Sequence, residues 1–223
     1  MDTPSSSNRQ LIGGIVAVTV LIFVGLIWVI MRAPNNGPTN DRQTGKPEAV
    51  RFMDDQDPTI GSTNAKVTVH IYGDFQCPAC RAAEAGLKPT MAKYADRVRF
   101  VWKDFPLAQI HSNALAAANA ARCVQVQGWF WRYHDRLYEK QAEWSGDSDP
   151  TSKFQTYAME VEADAAKFNA CLTNKTESAR VAANVTEGGA NRVEATPTFF
   201  INNVRYFGMS PEAWSKALDK ALQ

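Results

Sequence analysis

An imbalance of charge is what this chain most clearly lacks: 24 Lys and Arg face 23 Asp and Glu, a formal net charge of +1 over 223 residues. Nucleic-acid and polyanion partners leave a basic footprint, so none is expected. Cysteine is scarce too, with 4 in all, which excludes a disulfide-dense mini-scaffold. There are 3 histidines, His70, His111 and His134, scattered along the chain with no close second pair of ligands beside any cysteine. A structural zinc site wants four such ligands, so no metal is expected. No internal repeat or low-complexity tract occurs. What is present is ordinary: 45% hydrophobic and 21% charged residues exclude wholesale disorder. The length suits one globular domain with accessories, or two very small ones.

The average conceals two unlike parts. Leu11–Met31 is an uncharged run of 21 residues between Arg9 and Arg32. As a helix it would measure roughly 32 Å, enough to cross a hydrocarbon core of about 30 Å. A cleaved signal peptide would have a shorter apolar run and a small-x-small site, and Trp28-Val29-Ile30-Met31-Arg32 offers none. A buried core helix would keep a polar face. The expectation is therefore a tail at 1–10 and a single transmembrane anchor at 11–31. Charge counting is unhelpful for orientation, since Arg32, Arg42, Lys46 and Arg51 follow the run and only Arg9 precedes it. By that rule the remainder would lie inside the cell.

Residues 32–62 have linker composition, with Pro34, Gly37, Pro38, Gly45, Pro47, Pro58 and Gly61 among polar residues. A flexible coil of that length spans roughly 30 Å. A folded domain is expected over 63–223. Val67, Val69 and Ile71 alternate with Thr68, His70 and Tyr72, which is strand periodicity and puts His70 on the opposite face. A helix follows to about Tyr94, then a strand at Val98–Trp102. Helical segments extend from about Ser112 to Val185, broken at Gly128, Ser145-Gly146-Asp147 and Asp149-Pro150. Thr198–Ile201 and Val204–Phe207 form a hairpin about Asn202-Asn203. Ser210-Pro211 caps a last helix through Leu222. Strand–helix–strand implies a parallel right-handed unit, and the hairpin adds antiparallel strands, an α/β architecture.

Cys77-Pro78-Ala79-Cys80 lies where a strand turns into a helix. There the free N–H groups and positive dipole end stabilise a thiolate at Cys77. Pro78 suits the first helical position, and one turn brings Cys80 back towards Cys77 as a less exposed resolving thiol. Later in the chain Thr196-Pro197 precedes a strand.

The chain resembles the DsbA-type thiol:disulfide interchange proteins, particularly membrane-anchored or secreted bacterial members. Four stretches carry the resemblance: Tyr72-Gly73-Asp74-Phe75-Gln76-Cys77-Pro78-Ala79-Cys80, Lys103-Asp104-Phe105-Pro106-Leu107, Phe130-Trp131-Arg132-Tyr133-His134-Asp135 and Ala195-Thr196-Pro197-Thr198-Phe199-Phe200-Ile201-Asn202. The similarity as a whole spans about residues 57 to 223, with the four stretches in the family's order. The resemblance implies a thioredoxin fold with a helical insertion at about 108–190, Cys77 as nucleophile and Cys80 as its partner. It further implies a cis Thr196–Pro197 bond against the sulfurs, leaving the Thr196 backbone free to pair with a substrate strand.

The first strand departs from the family pattern at Ile71, where members often carry a buried acid. Asp74, Lys103 or water are the candidates to replace it. Pro78-Ala79 also lacks the histidine of the most oxidising members, so a weaker oxidant is expected. Cys123 and Cys171 match paired family positions. They either form a structural disulfide, worth roughly 4 kcal/mol across a loop of about 49 residues, or remain buried thiols. His134 and the aromatic run Trp129–Tyr138 read as core packing, and Glu160–Asp164 as a solvated face.

These readings converge on a monomeric, single-pass protein of the cell membrane with an extracytoplasmic oxidoreductase domain. It would introduce disulfides into cysteine-containing protein substrates, without a cofactor, and be recycled by a membrane partner. The rivals are a reductase or isomerase, for example in cytochrome maturation, and a non-catalytic binding module.

Overall fold

A computed structural model describes residues 50–223. The expected anchor at 11–31, the tail before it and most of the expected linker lie outside the described residues. Among the described residues, no helix is long and apolar enough to cross a membrane.

Five strands, β1 (Thr59–Gly61), β2 (Val67–Gly73), β3 (Val98–Asp104), β4 (Thr198–Ile201) and β5 (Val204–Tyr206), form one sheet in the order β1-β3-β2-β4-β5. The parallel pair β2 and β3, with Val67 opposite Val98 and Gly73 opposite Asp104, is joined by α1 (Pro78–Tyr94). The β4–β5 hairpin adds antiparallel strands on the other side of β2, with Ile71 opposite Phe199. Six helices connect β3 to β4: α2 (Ala114–Gln125), α3 (Phe130–Glu139), α4 (Gln141–Trp144), α5 (Thr151–Glu160), α6 (Ala165–Asn174) and α7 (Ser178–Ala190). The chain closes with α8 (Pro211–Ala221), whose Ser210 hydroxyl accepts from the Ala213 N–H as the Ser-Pro start demands.

Alternation along β2 serves two cores. Val67, Val69 and Ile71 join Leu87, Trp102, Phe199 and Trp214 in the main core. Tyr72 packs with Val193 and Phe200 in a second, smaller one. Gly73 is required at the junction, because a Cβ there would lie 2.1 Å from the Trp102 ring. His70 does face away from the main core, yet it is buried, stacked on Phe52 at 3.4 Å between centroids and 3.0 Å from Asp54.

That burial displaces the expected linker boundary at 62. Val50 and Phe52 pack against the smaller core, Met53 N–H donates to Glu187 at 2.6 Å, and β1 pairs antiparallel with β3. A three-residue strand and two isolated apolar side chains carry no period, so composition alone reads this stretch as linker. The strap also meets a buried ionic cluster. Lys103 Nζ lies 3.0 Å from Asp54, 2.7 Å from Asp57 and 3.0 Å from Glu187. Lys103 is committed to this face and does not stand in for an acid beside the dithiol.

Candidate active site

Cys77 occupies the N-cap of α1 in an extended conformation (φ −70°, ψ 121°), with Pro78 opening the helix. Both Cys77 and Cys80 are free thiols, 7% and 3% exposed. The Thr196–Pro197 bond is cis, the Cys77 Sγ lies 3.5 Å from the Thr196 carbonyl oxygen, and Pro197 shares a hollow with Cys80. The tertiary fold thus brings together four of the residues singled out in the sequence.

The electrostatics divide the two thiols. Cys77 falls from 9.0 to about 5, because its thiolate accepts from the Cys80 thiol first, against the cost of burial, and then from Thr196 and the N–H groups of Cys80 and Ala79. Cys80 moves well above 9.0, driven by burial and by the neighbouring Cys77 sulfur. One sulfur is held ready as a nucleophile and leaving group, and the other keeps its proton.

Residues of the helical insertion hold the loop before Cys77, and periodicity alone could not single them out. Gln141 Nε2 donates to the carbonyls of Phe75 (2.8 Å) and Cys77 (3.0 Å). Tyr138 donates to the Asp74 carbonyl at 3.2 Å, and Asn113 N–H to Gln76 Oε1 at 2.6 Å. The Asp74 carboxylate accepts from the N–H groups of Gln76 and Leu107 and lies 2.7 Å from His111 Nδ1. It therefore orders the loop. Below lie Phe75 and Trp102, stacked at 4.9 Å, with Phe130, His134 and Tyr138 around them. This matches the core-packing expectation for the aromatic run.

Cys123 on α2 and Cys171 on α6 are bonded to each other, with Cα atoms 5.7 Å apart. Glu84, His134 and Asp135 place a potential ligand atom each within 4.8 Å of one another. Lys88 Nζ already lies 2.6 Å from Asp135, and His134 Nδ1 is 3.1 Å from the same carboxylate, so this cluster is poorly suited to a cation.

A family model described as thioredoxin matches residues 53–220. The chain belongs to the thioredoxin family. Its fold is similar to that of BdbD from Bacillus subtilis, an oxidised crystal structure with a TM-score of 0.67 at 22% identity, covering 75% of this chain and 93% of that one. A probable disulfide bond formation protein D from Bacillus anthracis is 26% identical over 98% of this chain and 99% of its own length. A Na(+)/H(+) antiporter NhaA 1 from Salinispora arenicola is 35% identical over 169 residues, 75% of this chain. The chain spans only 25% of the length of that antiporter. The resemblance to DsbA-type proteins read from the motifs stands, and the fold is a thioredoxin fold with a mixed sheet flanked by helices.

Proposed function

We propose that this thioredoxin-family chain is a thiol:disulfide oxidoreductase that introduces disulfides into extracytoplasmic proteins through Cys77-Pro78-Ala79-Cys80. The observation that carries this reading is the free Cys77 and Cys80 pair at the start of α1, set against the cis Thr196–Pro197 bond, an arrangement that lowers Cys77 and raises Cys80. In the oxidised enzyme a client thiolate attacks Cys77 Sγ. The Cys77–Cys80 bond breaks, a client–Cys77 disulfide forms, and the electron pair leaves on Cys80, which takes up a proton. A second client thiolate then attacks the client sulfur and expels the Cys77 thiolate. Two electrons have passed from the client dithiol to the enzyme.

Direction follows from how far the reduced state is stabilised. A thiol near 5 lies between thioredoxin at about 7 and the strongest oxidants at about 3.5, which supports an oxidase of intermediate strength, as expected for Pro78-Ala79 without a histidine. Thr196 would pair with the client strand, whose cysteine then meets Cys77. An anchor at 11–31 would hold the domain outside the cytoplasmic membrane, where a membrane partner reoxidises it.

Equilibration with glutathione tests the direction. A potential above about −200 mV, well to the oxidising side of thioredoxin's −270 mV or so, supports the oxidase, and one near thioredoxin's makes the chain a reductase. Labelling Cys77 in intact cells with an impermeant thiol reagent tests the compartment, and protection until lysis would place the domain inside.

A further inference from the structure

Two hollows meet at Glu84. The inner one, of about 10 Å³, is lined by Cys80, Ile71, Trp102 and Pro197, together with Glu84 and Tyr138. The outer one, of about 160 Å³, lies among Arg81, Lys88, Asp135 and Glu139, again with Glu84 and Tyr138. Only those two side chains belong to both walls. The inner volume is close to that of a single water probe.

Cys80 is 3% exposed, so its proton needs a path other than direct exchange with bulk solvent. Glu84 stands four residues on, over the same face of α1. Its Oε2 is buried and has no hydrogen-bond partner among the described residues, and its Oε1 lies 3.8 Å from His134 Nε2, which is likewise unpartnered in a side chain 1% exposed. Buried polar atoms are nearly always satisfied, so a carboxylate oxygen and an imidazole nitrogen left unpartnered on neighbouring side chains call for a role. Tyr138 cannot fill it. Its hydroxyl is held by the Asp74 carbonyl, and burial together with Cys80 keeps it protonated far beyond neutral pH. Burial moves the Glu84 carboxyl upward, towards the range in which it can both give and accept a proton. The charged and titratable groups around it are Arg81 and Lys88 from α1, and His134, Asp135, Tyr138 and Glu139 from α3.

We propose that Glu84 returns and removes the proton of Cys80, passing it between the inner hollow and the outer one. The inference rests on the oxidoreductase reading above. When a client thiolate breaks the Cys77–Cys80 bond, the electron pair stays on Cys80 and the Glu84 carboxylic acid delivers its proton there. Glu84 regains a proton from solvent through the outer hollow. In reverse, the Glu84 carboxylate accepts the Cys80 proton, and the new thiolate attacks Cys77 Sγ and expels the client thiolate. No hydrogen bond among the described residues joins Glu84 to either sulfur, so the proton crosses the hollow that Glu84 and Cys80 both line.

The test follows the rate of exchange between the oxidised full-length chain and a dithiol peptide from pH 5 to 9, in the wild type, Glu84→Gln and Glu84→Asp. Glu84→Gln should slow exchange about tenfold or more near neutral pH and remove one limb of the pH profile, which Glu84→Asp should retain. The Cys77 thiolate titration should be unchanged in all three. A wild-type rate and profile in Glu84→Gln would overturn the proposal, as would equal slowing in both variants with the limb intact. In the wild type itself, ¹³C-labelled glutamate should show the Glu84 carboxyl titrating at different pH in the oxidised and reduced states, and identical titrations would count against it. A wild-type chain inert towards all dithiols would remove the oxidoreductase reading, whereas an active wild type with an indifferent Glu84 removes only this inference.

Discussion

The sulfur of Cys77 lies 3.5 Å from the carbonyl oxygen of Thr196, a residue 119 positions further along the chain. The contact joins the first turn of α1 to the loop entering β4, so the reactive thiol and the backbone that a client strand would pair with share one surface. The thiolate itself is favoured not by that carbonyl but by the Cys80 thiol first and by the N–H groups of Cys80 and Ala79, which hold Cys77 ionised at neutral pH.

Thiolate absorbance of the reduced chain near 240 nm should therefore titrate with a midpoint of about 5 and vanish in Cys77→Ser. The folded value is depressed below that of the unfolded thiol, so this group stabilises the reduced fold fully above about pH 9 and loses that contribution as pH falls towards 5. The stability difference between the reduced chain and Cys77→Ala should shrink over that window. A midpoint near 8 or above would refute the assignment.

Gln141 holds two carbonyls of the loop that presents Cys77. Gln141→Leu should leave the Phe75 carbonyl without its donor, while the Cys77 carbonyl keeps the Arg81 N–H, and destabilise the fold by about 1–3 kcal/mol. It should also change the alkylation rate of Cys77, which chemical denaturation and a thiol-trapping assay would read separately.

Lys103 is fully buried among Asp54, Asp57 and Glu187. Burial opposes its charge, but Asp57 and Glu187 outweigh it and move the ammonium upward, so it remains charged. Lys103→Met should cost about 3–5 kcal/mol, because the carboxylates lose their counter-ion. The reduction potential of the dithiol should hardly move, since the cluster belongs to the face away from it. A large change in potential with little loss of stability would contradict this placement.

The Cys123–Cys171 bond closes a loop with a sequence separation of 48. Replacing both with serine should lower stability by about 4 kcal/mol in the chain-entropy account, while dithiol exchange at Cys77 persists in the folded fraction. Loss of exchange in a variant that melts like the wild type would assign the pair a redox role.

Local chemistry alone made much of this molecule legible. A strand-to-helix junction with cysteines one turn apart and proline at the first helical position dictates where a thiolate can form, and Ser210-Pro211 dictates where the last helix begins. Apolar alternation in Val67–Ile71 was enough to identify the central strand. The strap was not legible, because Val50, Phe52 and Ile60 acquire partners only when the sheet exists. His70 reads as merely facing away from the core, and only the packing of Phe52 and Asp54 shows that a second interior lies there.

From residues alone came the family, the dithiol and the order of the elements from β2 onward, since each motif and each element depends on residues within a few positions of one another. Tertiary structure alone decided that Lys103 turns away from the dithiol, that Gln141 and Asn113 brace its loop, and that Glu84 stands between Cys80 and solvent. Burial and partnership set the charge state of such groups, and both depend on which distant segments the folded chain brings alongside them.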